Sequence, residues 1–123
     1  MAVILIVEDD VLIREVAELL VDDLGHSTLS SGDMVEALQL LRSSRHIDAL
    51  FTDIRLKSAT LGGCELARQA IELRPQLRVL YTTGSALTEK MAALFVEGAY
   101  FLEKPYSEQQ LQRSVEEMLA PVF

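Results

Sequence analysis

The 123-residue chain has a single cysteine, Cys64, so it can form no internal disulfide and must be held by its core, which fits a reducing, cytoplasmic setting. It has no apolar run near the roughly 20 residues that span a bilayer. No basic leader precedes Met1-Ala2-Val3-Ile4, so neither a membrane segment nor a secretory signal is expected. Basic residues are scarce, 11 against 19 acidic, for a net charge of −8. That field repels a phosphate backbone, and no direct nucleic-acid partner is expected. Repeats, low-complexity segments and linkers are also missing, so the expectation is one domain over 1–123 without an output domain. What remains is ordinary for a globular fold: 50% apolar and 24% charged residues. The acidic excess serves solubility, and it would also serve a cation site if some carboxylates converged.

Val3-Ile4-Leu5-Ile6-Val7 is a continuous β-branched run, the pattern of a strand buried on both faces. Leu12, Val16, Leu19 and Leu20 follow at helical spacing over Val11 to Leu24, closed by Gly25. His26 to Leu29 predicts a short strand at or near an edge. Asp33-Met34-Val35-Glu36 has capping-box spacing and opens a helix to about Ser43. Ala49 to Thr52 predicts a buried strand, and a polar loop from Lys57 to Gly63 leads to a helix over Cys64 to Leu73, stopped by Pro75. Leu77 to Thr82 predicts a strand, Thr88 to Val96 a helix ended by Gly98, and Ala99 to Leu102 a last strand. Ser107-Glu108-Gln109-Gln110 is a second capping box, with Leu111, Val115, Met118 and Leu119 as the stripe behind it. Strands alternating with helices predict an α/β fold, a parallel sheet covered on both faces and joined by right-handed crossovers.

In such a sheet, ligands bind beyond the carboxyl ends of the strands. The first strand delivers Glu8-Asp9-Asp10 to that edge, the third Asp53, the fourth Thr82-Thr83-Gly84-Ser85 and the fifth Glu103-Lys104-Pro105. Acidic groups at neighbouring exits repel one another, and a hard cation such as Mg²⁺ relieves this with carboxylate, water and phosphate oxygens around it. A carboxylate there, with a hydroxyl and an ammonium nearby, is equipped as a nucleophile for phosphoryl transfer. Taken singly, Asp9 or Asp10 would be a helix cap, Asp53 a loop cap, Thr83 a turn residue and Lys104 a solvated charge. Taken together, four chemical types at successive strand exits point to one site.

This pattern resembles the CheY-like receiver domain of response regulators, over essentially the whole chain from Val3 to the helix after Lys104-Pro105. The resemblance implies a flavodoxin-like (βα)5 sandwich with a five-stranded parallel sheet of order 2-1-3-4-5. It implies a phosphoacceptor at Asp53, within Leu50-Phe51-Thr52-Asp53-Ile54-Arg55, fed by a histidine kinase or a histidine phosphotransfer protein. Mg²⁺, or Mn²⁺ in its place, would be held by Glu8, Asp9, Asp53 and the backbone carbonyl of Arg55, with Asp9 the direct ligand of the acidic pair. Thr83 matches the switch hydroxyl, Lys104 the lysine that contacts the phosphoryl group, and Phe101 the aromatic that swings inward on activation, where its plainer role is core packing. The Lys104–Pro105 bond is cis in relatives. The signal would pass to a downstream protein through the last helices and strand, in a stand-alone regulator or a receiver cut from a larger protein.

Three features depart from the family. Lys57 stands where relatives carry proline, and the loop before Gly63 is longer by about two residues, so Lys57 to Thr60 need not follow the family path. Arg55 and Ser85 hold positions that modulate how water reaches the acyl phosphate; Arg55 would cover that path or pair with a carboxylate. Among other readings, a receiver-like scaffold that binds partners without phosphorylation has only these loop departures in its favour. A phosphohydrolase of the haloacid-dehalogenase type wants Asp-x-Asp after the first strand, where Glu8-Asp9-Asp10 stands, and a cap for which there is no room. A nucleotide site is disfavoured because no Gly-rich loop follows the first strand.

Overall fold

A computed structural model describes residues 1–56 and 61–121; Lys57 and the three residues after it, the predicted site of unusual loop geometry, lie outside the described residues. Five strands, β1 (Val3–Val7), β2 (Ser27–Ser31), β3 (Ala49–Asp53), β4 (Arg78–Thr83) and β5 (Tyr100–Glu103), alternate with helices α1 (Val11–Asp23), α2 (Met34–Arg42), α3 (Gly62–Leu73), α4 (Glu89–Ala92) and α5 (Glu108–Leu119). All neighbouring strands pair in parallel, in the order β2-β1-β3-β4-β5, as the resemblance implies. Alternate side chains of each central strand feed two separate cores. Ile4, Ile6, Ala49, Phe51 and Leu80 pack with Ala17, Val21, Leu111, Val115 and Met118 of α1 and α5. Leu5, Val7, Leu50, Val79 and Tyr81 pack on the other face with residues of α2 and α3. Burial on both faces is why β1 reads as an unbroken apolar run.

The caps work as side-chain chemistry dictates. Asp10 accepts from the amides of Leu12 and Ile13 at the start of α1, and Asp33 from Glu36 at the start of α2. Ser107 and Gln110 form a reciprocal capping box on α5. The strand β2 starts one residue later than its sequence suggests and runs to Ser31, extended by its ladder to β1. Likewise α3 begins at Gly62 rather than Cys64.

Two expectations are corrected. Of the apolar stripe Leu12, Val16, Leu19 and Leu20 on α1, Leu20 packs against the core, yet Leu12 is 73% and Leu19 64% exposed. Instead, Ala17 and Val21 are the fully buried residues of α1, with Leu20 and Leu24 packed partly buried against the same core. The predicted helix from Thr88 to Val96 is only four residues long. Thr88 caps it, but Phe95 stacks on Tyr81 with ring centroids 4.1 Å apart. The Val96 amide then donates to the buried Tyr81 hydroxyl at 3.1 Å. These contacts draw the chain onto the sheet where a regular helix would have carried it away. No helix among the described residues is long and apolar enough to cross a membrane.

Candidate phosphoacceptor and cation site

The ends of β1, β3 and β5 bring Glu8, Asp53 and Lys104 together. Lys104 Nζ donates to Glu8 Oε1 at 2.5 Å and to Asp53 Oδ2 at 3.0 Å. All three side chains are largely enclosed. Asp9 completes the group: Glu8, Asp9 and Asp53 each offer a carboxylate oxygen, and these lie within 4.8 Å of one another. Three hard oxygen donors at that spacing suit Mg²⁺ or Mn²⁺ and suit no soft metal. Asp10 turns away to cap α1, so of three consecutive acids only the first two join the cluster.

The backbone explains how Asp53 is presented. It is the last residue of β3, paired in register with Thr82, and its Oδ1 accepts the Arg55 amide at 3.2 Å. The Gly63 amide donates to the Ile54 carbonyl at 2.9 Å, drawing the start of α3 against the strand end. A Cβ on Gly63 would stand 1.9 Å from the Asp53 carbonyl oxygen, so only glycine permits this approach.

The remaining predicted residues surround the cluster to differing degrees. Thr83 is buried at the end of β4; its hydroxyl accepts the amide of the half-buried Ser85 at 3.2 Å, and its backbone carbonyl accepts the Lys104 amide at 3.0 Å. The Lys104–Pro105 peptide is cis. Arg55 is exposed and forms no ion pair among the described residues, so the pairing imagined for it is not seen there. Phe101 is half-buried away from the carboxylates and stacks on Phe95 at 6.1 Å, closing an aromatic row that starts at Tyr81.

Burial and charge act against each other here. Burial pushes the Glu8 carboxyl up to about 7, although Lys104 pulls the other way. For Lys104, burial favours loss of the proton, but the bonds to Glu8 and Asp53 outweigh it and raise the ammonium pKa. One ammonium therefore serves two carboxylates, with a third beside them.

Some features had no signal in the sequence. Arg14 Nη1 donates to the Glu8 carbonyl at 2.8 Å, and no spacing rule marks a side chain whose partner is backbone. Among the described residues, Thr82 Oγ1 is buried without a hydrogen-bond partner and borders a void of about 10 Å³ with Glu8 and Asp53. Beside Lys104, exposed Leu12, Ile13 and Val16 of α1 join Leu20, Pro105 and Tyr106 around an open apolar hollow of about 520 Å³.

The response regulator receiver domain model matches residues 4–116. The response regulator MprA of Mycobacterium avium is 32% identical over 88% of this chain, which spans 46% of that protein's length. A response regulator receiver protein from Sinorhizobium medicae superposes with a TM-score of 0.87 at 29% identity, covering 96% of this chain and 94% of that one. The chemotaxis protein CheY4 of Vibrio cholerae gives 0.83 at 25% identity, over 97% and 99%.

Proposed function

This chain belongs to the response regulator receiver domain family of two-component systems, and from that premise we propose that Asp53 is its phosphoacceptor. One observation carries the reading: Lys104 bridges Asp53 and Glu8 within a cluster that Asp9 completes. The donor is a phosphohistidine on a kinase or phosphotransfer protein. As the P–O bond to the Asp53 carboxylate forms, the P–N bond to the donor imidazole breaks and its electron pair stays on that nitrogen. Lys104 then turns from the carboxylates to the phosphoryl oxygens, and the Thr83 hydroxyl leaves the Ser85 amide to meet them. Glu8, Asp9, Asp53 and the Arg55 carbonyl would hold Mg²⁺ or Mn²⁺, which supplies charge neutralisation for the incoming phosphoryl. The apolar rim of α1, Pro105 and Tyr106 suits a protein donor, because it offers an apolar surface beside Lys104, the residue that bonds Asp53.

Release of the Thr83 hydroxyl from its local turn opens space toward which Phe101 can move, changing the face of α4, β5 and α5 that meets the downstream partner. Arg55 and Ser85 flank the acyl phosphate and set its lifetime, which Arg55→Ala should alter; an unchanged lifetime removes Arg55 from this account. The central test is mass spectrometry after incubation with acetyl phosphate and Mg²⁺. A phosphoryl adduct that disappears in Asp53→Ala supports the switch, whereas no adduct in the parent chain favours a phosphorylation-independent scaffold.

A further inference from the structure

Arg14 stands in the first turn of α1, outside the carboxylate cluster and outside the chemistry above. Its guanidinium reaches back over the turn between β1 and α1 to bond the Glu8 carbonyl at 2.8 Å. The Glu8 amide meanwhile donates to the Ser31 carbonyl at 3.1 Å. Both backbone polar groups of Glu8 are thus held, one by the end of β2 and the other by Arg14. Gly32, the next residue after Ser31, makes the room: a Cβ there would stand 2.8 Å from Arg14 Nη1. Gly32 does not have positive φ, so a side chain added there would act on the Arg14 guanidinium rather than on the backbone conformation.

Three consecutive acids diverge at this point. Glu8 is bonded to Lys104, Asp9 joins the cluster, and Asp10 caps α1. The peptide between Glu8 and Asp9 sets how the first two carboxylates are aimed, and it is the one whose carbonyl Arg14 grips. We propose that Arg14, seated in the slot left by Gly32, is a positioning residue for the cation site, clamping the Glu8–Asp9 peptide so that both carboxylates and Asp53 face one point. This rests on the reading of that cluster as a Mg²⁺ site.

The sign of the effect separates positioning from charge. Arg14 is a fixed cation near an acidic cluster, so Coulomb's law alone predicts that removing it tightens a divalent ion. Positioning predicts the opposite, of the size seen when groups that orient metal ligands are lost, roughly tenfold or more. Titration calorimetry with MgCl₂ at constant ionic strength should therefore show Arg14→Met binding about tenfold more weakly than the parent chain. Gly32→Ala keeps the charge but presses on the guanidinium that holds the Glu8 carbonyl, and should weaken binding in the same direction. The double variant should bind no more weakly than Arg14→Met alone. Unchanged or tighter binding in Arg14→Met, or fully additive losses, overturns the proposal. If Arg14→Met does not fold, Gly32→Ala decides alone, and parental affinity there overturns it. A role confined to stability would lower the melting temperature in chelator and leave affinity intact. Failure of the parent chain to bind Mg²⁺ would instead remove the cation reading on which the proposal stands.

Discussion

Lys104 Nζ sits 3.0 Å from Asp53 Oδ2, a pair separated by 51 positions in the chain, while the same nitrogen holds Glu8 Oε1. Among the described residues, this one ammonium is the counter-ion of two enclosed carboxylates. Lys104→Met strands both, and breaking such a pair costs about 3 kcal/mol. Urea denaturation in chelator should show that loss, and saturating Mg²⁺ should restore part of it by taking over the carboxylates. Equal stability of variant and parent in chelator would show that the ammonium is not the counter-ion.

The pH dependence follows from Glu8. Its carboxyl lies at about 7 in the folded protein against 4.5 in the reference state. Between those values the folded chain binds the extra proton, so this group's contribution to stability in chelator falls as pH rises through the window and is flat above it. A cation needs the ionised form. Affinity for Mg²⁺ should accordingly climb with pH and level off above about 7, and Glu8→Gln should flatten the climb. Calorimetry across that range checks both, and a parent profile already flat below it would contradict the assignment.

Gly63→Ala forces a Cβ against the Asp53 carbonyl, where neither backbone can yield cheaply. Overpacking of this kind costs about 3 kcal/mol. Any folded fraction should also show a slower gain of the phosphoryl adduct, because the strand end that presents Asp53 must shift. Wild-type stability and phosphorylation rate would refute the close approach.

Tyr81→Phe keeps the stack on Phe95 and removes the acceptor of the Val96 amide. The expected cost is about 1 kcal/mol, with faster hydrogen exchange confined to the segment between α4 and β5. Removing the hydroxyl also tests why α4 is short. If exchange in that segment does not change, the tether plays no part in holding it.

Thr82→Val replaces a buried hydroxyl that has no partner among the described residues with a methyl of similar volume. Relief of its desolvation should raise stability by about 1 kcal/mol. A lower melting temperature would show instead that the hydroxyl is hydrogen-bonded within the small void beside Glu8 and Asp53.

Much of the fold was readable because it rests on local rules. The β1 run, the caps at Asp33 and Ser107, and the alternation of elements are short-range patterns with direct physical causes. The α1 stripe misled because periodicity reports that a helix is amphipathic, not that its larger side chains are the ones that fit against the sheet. The four-residue α4 was hidden for a related reason: local propensity favoured a longer helix, and contacts of Phe95 and Val96 with Tyr81, 14 and 15 positions earlier, overrode it.

For the site, the sequence alone established which chemical groups arrive at the carboxyl edge, since strand ends follow from hydrophobic pattern and turn chemistry; the strand order was implied only by the resemblance to receiver domains. It marked Glu8, Asp9, Asp53 and Lys104 as neighbours before any distance was known. Tertiary structure alone decided how they are shared: that Asp10 caps a helix, that one ammonium bridges Glu8 and Asp53, and that Arg14 beside Gly32 grips the Glu8 peptide. Those outcomes depend on direction and separation across the fold, and side-chain direction at a strand exit is set by packing against other elements rather than by the residues on either side.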